Sequence, residues 1–98
     1  MGDLDPVINA QARLRIVSAL AALDPGERVT FPRAAELLNM TAGNLSTHLR
    51  KLEDAHYVTV IKAHQGRMPV TWLELSTTGR RAFEDYTQEL RALLDGAS

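Results

Sequence analysis

The hydrophobic repeat of this chain changes period twice, and that change limits the folds open to it. Up to Asp54 apolar residues recur at helical spacing, with Leu45, Leu49 and Leu52 at i, i+4 and i+7 on one helix face. From Tyr57 to Lys62 and from Val70 to Leu75 the chain becomes β-branched and aromatic, and the intervening Ala63–Pro69 stretch carries the Gly and Pro of a hairpin loop. Phe83, Tyr86, Leu90 and Leu93 then step by three, four and three, which restores a helix with a coiled-coil-like stripe. Helices, a hairpin and a final helix within 98 residues leave room for one core. A catalytic barrel or a doubly wound nucleotide-binding sheet needs more chain.

The first half divides into three helical segments. Asp5 caps and Pro6 opens a helix expected over about residues 6–23. It is apolar on two sides, with Ala10, Leu14, Val17 and Ala21 on one stripe and Ile8, Ala12, Ile16, Ala19 and Leu23 on another. Asp24-Pro25-Gly26 ends it, and the short β-prone run Arg28–Phe31 follows. Pro32 opens a helix of about two turns through Leu38, Asn39-Met40 breaks it, and Thr41 caps a third helix over Ala42–Ala55. Gly43, Thr47, Arg50 and Asp54 lie opposite the leucines of this third helix. Two short helices joined by a tight turn, the second polar on its outer face, give a helix-turn-helix outline over about 32–55. Within the hairpin, over about 57–75, Val58, Val60, Leu73 and Leu75 are expected to face the core, with Trp72 and Glu74 facing away. Ser76 caps the last helix, over about 77–94.

The run from Asn44 to Val58 resembles the recognition helix and following turn of ArsR/MarR-type winged-helix regulators. Leu75-Ser76-Thr77-Thr78-Gly79 is similar to the L-T-x-x-G entry into their last helix. The resemblance spans about Asp5–Leu94 and implies an α+β, mostly α, winged helix-turn-helix with a three-helix core, a two-stranded β wing and a C-terminal dimerisation helix. Relatives place glycine where this chain has His56, which implies a positive φ there, a region that His tolerates better than most residues.

A recognition helix in the major groove needs short polar side chains near its N-terminus, since bulky ones hold it off the base edges. Thr41, Ala42, Gly43, Asn44, Ser46 and Thr47 meet that requirement. Asn44 suits a bidentate contact with adenine, Ser46 and Thr47 a base or a phosphate, and Ala42 or the Thr47 methyl a thymine methyl. Arg50 and Lys51 would reach phosphates or a guanine, and His48 a phosphate. Arg67 beside Gly66 sits at the wing tip, flanked by Lys62, His64 and Gln65, where it would enter the minor groove or clamp a phosphate.

A net charge of −1 argues mildly against nucleic acid until it is divided along the chain. Residues 43–69 carry four basic and two acidic side chains, hence +2, while the other 71 residues carry seven and ten, hence −3. The positive face is slight, so weak binding per protomer and a gain from pairing are expected. Packing the first and last helices of two chains together would bury Phe83, Tyr86, Leu90 and Leu93 with Leu4, Ile8 and Ile16, and two-fold symmetry then predicts a palindromic site.

The remaining expectations are negative. Zero cysteines exclude disulfides and thiolate metal sites, and His48, His56 and His64, spaced by eight, do not form a zinc motif, so no metal or cofactor is expected. There is no phosphate-cradling glycine loop or nucleophile elbow, so no enzyme is expected. With no leader-like N-terminus and no membrane-spanning run, the expected location is the cytoplasm. The leading reading is a homodimeric repressor of transcription that binds double-stranded DNA. The alternatives are a winged-helix protein-interaction or assembly module without specific DNA binding, and a MarR-like regulator with a small-molecule effector.

Overall fold

In the computed structural model, which describes residues 3–96, three helices pack against a three-stranded antiparallel sheet and the fourth packs along the first helix. The elements run α1 (Gln11–Ala21), β1 (Arg28–Thr30), α2 (Phe31–Leu38), α3 (Ala42–Asp54), β2 (Val58–Gln65), β3 (Met68–Leu75) and α4 (Thr77–Leu94). Ile16, Val17 and Leu20 of α1 meet Ala34 and Leu38 of α2, Leu45, Leu49 and Leu52 of α3, and Val58, Leu73 and Leu75 of the sheet in one buried core. The expected inward row of the hairpin is present: Val58 lies opposite Leu75 and Val60 opposite Leu73.

Local hydrogen bonds set the helix boundaries. The Thr30, Thr41 and Ser76 hydroxyls accept from the backbone N–H groups of Arg33, Asn44 and Gly79, each satisfying a donor that a helix N-terminus leaves unpaired. Helices α2 and α3 both end in left-handed residues, Asn39 at φ 53° and His56 at φ 65°. At the second, the Tyr57 N–H donates to the Leu52 carbonyl and the His56 N–H to the Glu53 carbonyl, both at 2.9 Å, the paired bonds of a Schellman turn. The positive φ implied for His56 is therefore real. Helix α4 is pinned to the same turn, because the Ser76 N–H donates to the Tyr57 carbonyl at 3.0 Å and the Ser76 hydroxyl donates to the His56 carbonyl at 2.6 Å. Gly79 makes this approach possible: a Cβ there would stand 2.1 Å from the Tyr57 carbonyl oxygen.

Two expectations are corrected. First, the opening helix begins at Gln11 rather than Pro6. Asp5 does cap a single turn, its Oδ1 accepting from the N–H of Val7 at 2.8 Å and of Ile8 at 3.3 Å, but Ala10 is extended. Long-range anchors override helix propensity there: Ile8 is fully buried, the Tyr86 hydroxyl donates to Asn9 Oδ1 at 2.9 Å, and the Tyr57 hydroxyl donates to Asp5 Oδ2 at 2.5 Å. Second, the hairpin loop is not Ala63–Pro69 but a two-residue turn, Gly66-Arg67, with Gln65 paired to Met68. A positive φ at Gly66 and none at Arg67 is the type II′ pattern, whose twist matches that of the strands. Pro69 is tolerated inside β3 because its nitrogen points away from β2, on the side that β1 does not reach. The short β-prone run after the first helix forms a strand as expected, and it joins the sheet: β1 pairs with β3 from Arg28↔Glu74 to Thr30↔Trp72. Arg28 also stacks its guanidinium 5.0 Å from the Trp72 ring centroid on the outer face.

The molecule is elongated, 56 × 24 × 21 Å, with a radius of gyration of 14.4 Å. A compact domain of this length has about 13 Å. Past Tyr86, α4 leaves Leu93 and Leu94 exposed.

Two stability measurements test these local readings. His56→Gly removes the cost of a side chain in left-handed backbone and should raise stability by about 1 kcal/mol, read as a higher urea midpoint; an unchanged or lower midpoint would show that the turn carries no strain. The bond to Asp5, together with burial and the Asp5 charge, pushes the Tyr57 hydroxyl up from 10.0 to about 12. The folded protein then keeps a proton that the unfolded chain releases, so this contribution is full below pH 10 and is lost as the pH rises toward 12. Tyr57→Phe should flatten that alkaline loss of stability, and an identical pH profile would contradict it.

Candidate nucleic-acid interface

Helix α3 shows its leucines to the core and a polar surface to solvent, so the residues singled out for contact are largely where their spacing places them. Thr41, Ala42, Gly43, Asn44, Ser46, Thr47, Arg50 and Lys51 are all exposed. Two of the hydroxyls are partly committed. Thr41 accepts from the Asn44 N–H at 3.1 Å, and Thr47 donates to the Gly43 carbonyl at 2.9 Å, which leaves its methyl and its lone pairs for an outside partner. His48 stands apart from this group, half-buried toward α1, with its Nδ1 3.4 Å from Arg13 Nη1.

The wing approaches α3 along one flank. A groove lined by Phe31, Ser46, Leu49, Arg50, Glu53, Val60, Lys62 and Thr71 separates helix from hairpin, which brings Lys62 of β2 beside Ser46 and Arg50 of α3. A second depression, lined by Ser46, Thr47, Arg50, Lys51 and Asp54, continues across the helix. Strand alternation puts Lys62 and His64 on the helix side of the hairpin, and Gln65 on the outer side with Trp72. Arg67 stands in the turn at the tip, exposed with His64 and Gln65 and apart from the groove. The predicted contacts therefore form two groups: α3 with Lys62, and the tip.

Thr71 and Arg13 were not singled out in the sequence. Thr71 is opposite Lys62, and the Gly66-Arg67 turn, which fixes Gln65 against Met68, is the local signal that would have found it. Arg13 is 35 residues from His48, and no local pattern joins them.

The expected subunit-contact residues also divide. Ile8, Ile16 and Tyr86, at 0%, 1% and 4% exposure, are consumed by the chain's own core and offer no surface to a second copy. Leu4, Phe83 and Leu90 are half-buried and Leu93 is exposed. Among the described residues no helix is long and apolar enough to cross a membrane, and no three His, Asp or Glu side chains gather as a metal site.

Known proteins share this architecture. The chain is 35% identical over 88 residues to an uncharacterized protein of Methanocaldococcus jannaschii, covering 89% of this chain and 91% of that protein. A transcriptional regulator homologue from Pyrococcus horikoshii OT3 superposes with a TM-score of 0.83 at 28% identity, over 92% of this chain and 86% of that one. The S. aureus MepR–DNA complex, 20% identical, superposes with a TM-score of 0.72 over 89% of this chain and 68% of that one, a likeness of fold. Residues 12–94 match the family described as Winged helix DNA-binding domain. With that match covering most of its length, and with the fold and the exposed third helix to go with it, the chain belongs to the winged-helix family of transcriptional regulators, which are DNA-binding proteins and not enzymes.

Proposed function

We propose that this chain is a homodimeric, sequence-specific regulator of transcription that reads the major groove of double-stranded DNA with α3 and steadies itself on the backbone or minor groove with the wing. The observation that carries the reading is the exposed row of short polar side chains from Ala42 to Thr47, set beside the groove where Arg50 and Lys62 converge. Short side chains let the helix approach base edges, and the two cations stand where a phosphate backbone would flank it. Asn44 reads a base, with Ser46 and Thr47 as further base or phosphate contacts. Arg67, at the exposed tip of a stiff two-residue turn, supplies the distal contact. Repression by occlusion is the simplest outcome for a domain of this size seated on a promoter.

The dimer reading rests on α4, whose outer residues Leu93 and Leu94 are 55% and 76% exposed and continue the stripe begun by Phe83 and Leu90. Two such stripes packed together would bury leucine side chains worth roughly 1.5–3 kcal/mol each. For the small-molecule reading, the apolar crevice between α1 and α2 holds only ≈ 40 Å³, against roughly 300 Å³ or more for a drug-sized ligand, while the clefts of ≈ 390 to 430 Å³ are open and lined in large part by polar side chains.

Binding to duplexes selected from a random pool tests the DNA reading. Asn44→Ala should lose roughly 1–3 kcal/mol of discrimination at one base pair, whereas Arg67→Ala should weaken selected and random duplexes alike. If no duplex is retained in a salt-sensitive way, the protein-interaction alternative replaces this one. For the assembly, light scattering should give about twice the 10.8 kDa chain mass, and Leu93→Glu should return a folded monomer. A wild-type monomer at micromolar concentration would remove the dimer.

A further inference from the structure

Arg13 is a half-buried cation without a counter-ion. Its Nε donates to the Val7 carbonyl at 2.6 Å, which fixes the plane of the guanidinium at the start of α1. Among the described residues no carboxylate comes within ion-pairing distance of it; the one ion pair found there is Arg33–Glu36. Its nearest polar side chain is instead the imidazole of His48, at 3.4 Å. A partly desolvated charge with neither full hydration nor an anion is electrostatically incomplete. Arginine has no acceptor, so His48 Nδ1 accepts, and the neutral ring carries its hydrogen on Nε2. The pair thus presents the free end of a guanidinium fork and one imidazole N–H, which are all donors.

The location gives these donors a partner. On α3, Asn44, His48 and Lys51 fall at i, i+4 and i+7 along one flank, while Ser46, Arg50 and Glu53 line the other, beside Lys62 of the wing. A helix seated in the major groove, about 12 Å wide, has a sugar–phosphate backbone on each side of it. Lys62 and Arg50 serve one side. We propose that Arg13 and His48 form a phosphate-binding pair for the other, gripping the DNA strand across the groove from the wing and locking the roll of α3 about its axis. The inference rests on the DNA-binding reading above and adds to it a residue from outside the helix-turn-helix.

The test uses a duplex selected from a random pool and carrying single neutral methylphosphonate substitutions. Wild-type protein should lose affinity at one position on the strand across the groove from the wing, and Arg13→Gln should be indifferent to that substitution. Arg13→Gln should also weaken selected and random duplexes alike, by roughly tenfold, and reduce the slope of log affinity against log salt by about 1. Arg13→Lys should keep the wild-type slope. His48→Ala at pH 8 should lower affinity with the slope unchanged, because a neutral ring displaces no counter-ion. If Arg13→Gln lowers only the melting temperature and leaves the slope and the methylphosphonate pattern as in wild type, Arg13 is a structural brace and the proposal falls while DNA binding stands. Should Arg13→Gln fail to fold, the wild-type scan decides alone: no sensitive phosphate on that strand overturns the pair. Wild-type protein that binds no duplex overturns both readings together.

Discussion

The Tyr57 carbonyl is the joint on which the architecture turns. Within a few residues the chain leaves α3, enters β2 and receives α4, and this one oxygen accepts from the Ser76 backbone at 3.0 Å and from the Ser76 hydroxyl at 3.1 Å. The Tyr57 N–H closes the Schellman turn, and its side chain ties down the N-terminal segment through Asp5. Backbone polar groups buried at such a crossing must find partners or cost about 1–3 kcal/mol each, and here every one of these is spent on a different element. Gly79 admits α4 to that distance. The orientation of α3 relative to the hairpin and the terminal helix is thus set by a few hydrogen-bonded atoms of Tyr57 and Ser76.

What the sequence discloses, and what it conceals, follows from how far each determinant acts. The starts of α3 and α4 are legible because Thr41 and Ser76 cap helices three residues away, and the inward row Val58, Val60, Leu73 and Leu75 is legible because alternation is local. The start of α1 is not, since Ile8 and Asn9 are placed by a core and a tyrosine 77 residues distant. The strands of the wing are longer, and its loop shorter, than expected because Pro69 reads as a loop residue until one knows which side of β3 lacks a neighbour. Solvent exposure of the outer α3 residues Gly43, Thr47 and Arg50 followed from helical periodicity alone, whereas the meeting of Arg13 with His48 depends on how α1 crosses α3, which no spacing encodes.

Arginine carries much of the structure's electrostatic detail, in three different roles. Arg80 reaches back to donate to carbonyls at and just past the C-terminus of α1, Ala21 at 3.2 Å and Leu23 at 3.3 Å, where a cation also complements the helix dipole. Arg15 does the same for α2 through the Leu38 carbonyl. Arg28 lies over Trp72, where the ring face substitutes for an anion. These cations are occupied within the fold. Among the described residues the side chains of Arg50, Lys62 and Arg67, in the proposed interface, make no hydrogen bond or ion pair within the fold, a difference in partners that the net value of −1 does not reveal.

The burial of Ile8, Ile16 and Tyr86 inside one chain has a consequence for how such a protein responds to its own abundance. A chain whose core is closed within itself can fold as a first-order event, which makes the proposed pairing a separate, second-order one. Under the proposed pairing, chains below the dimer threshold would persist as folded single subunits rather than as unfolded material for proteolysis. Occupancy of the proposed two-fold site would then rise with roughly the square of subunit concentration in that regime, and a modest change in synthesis would become a steeper change in binding.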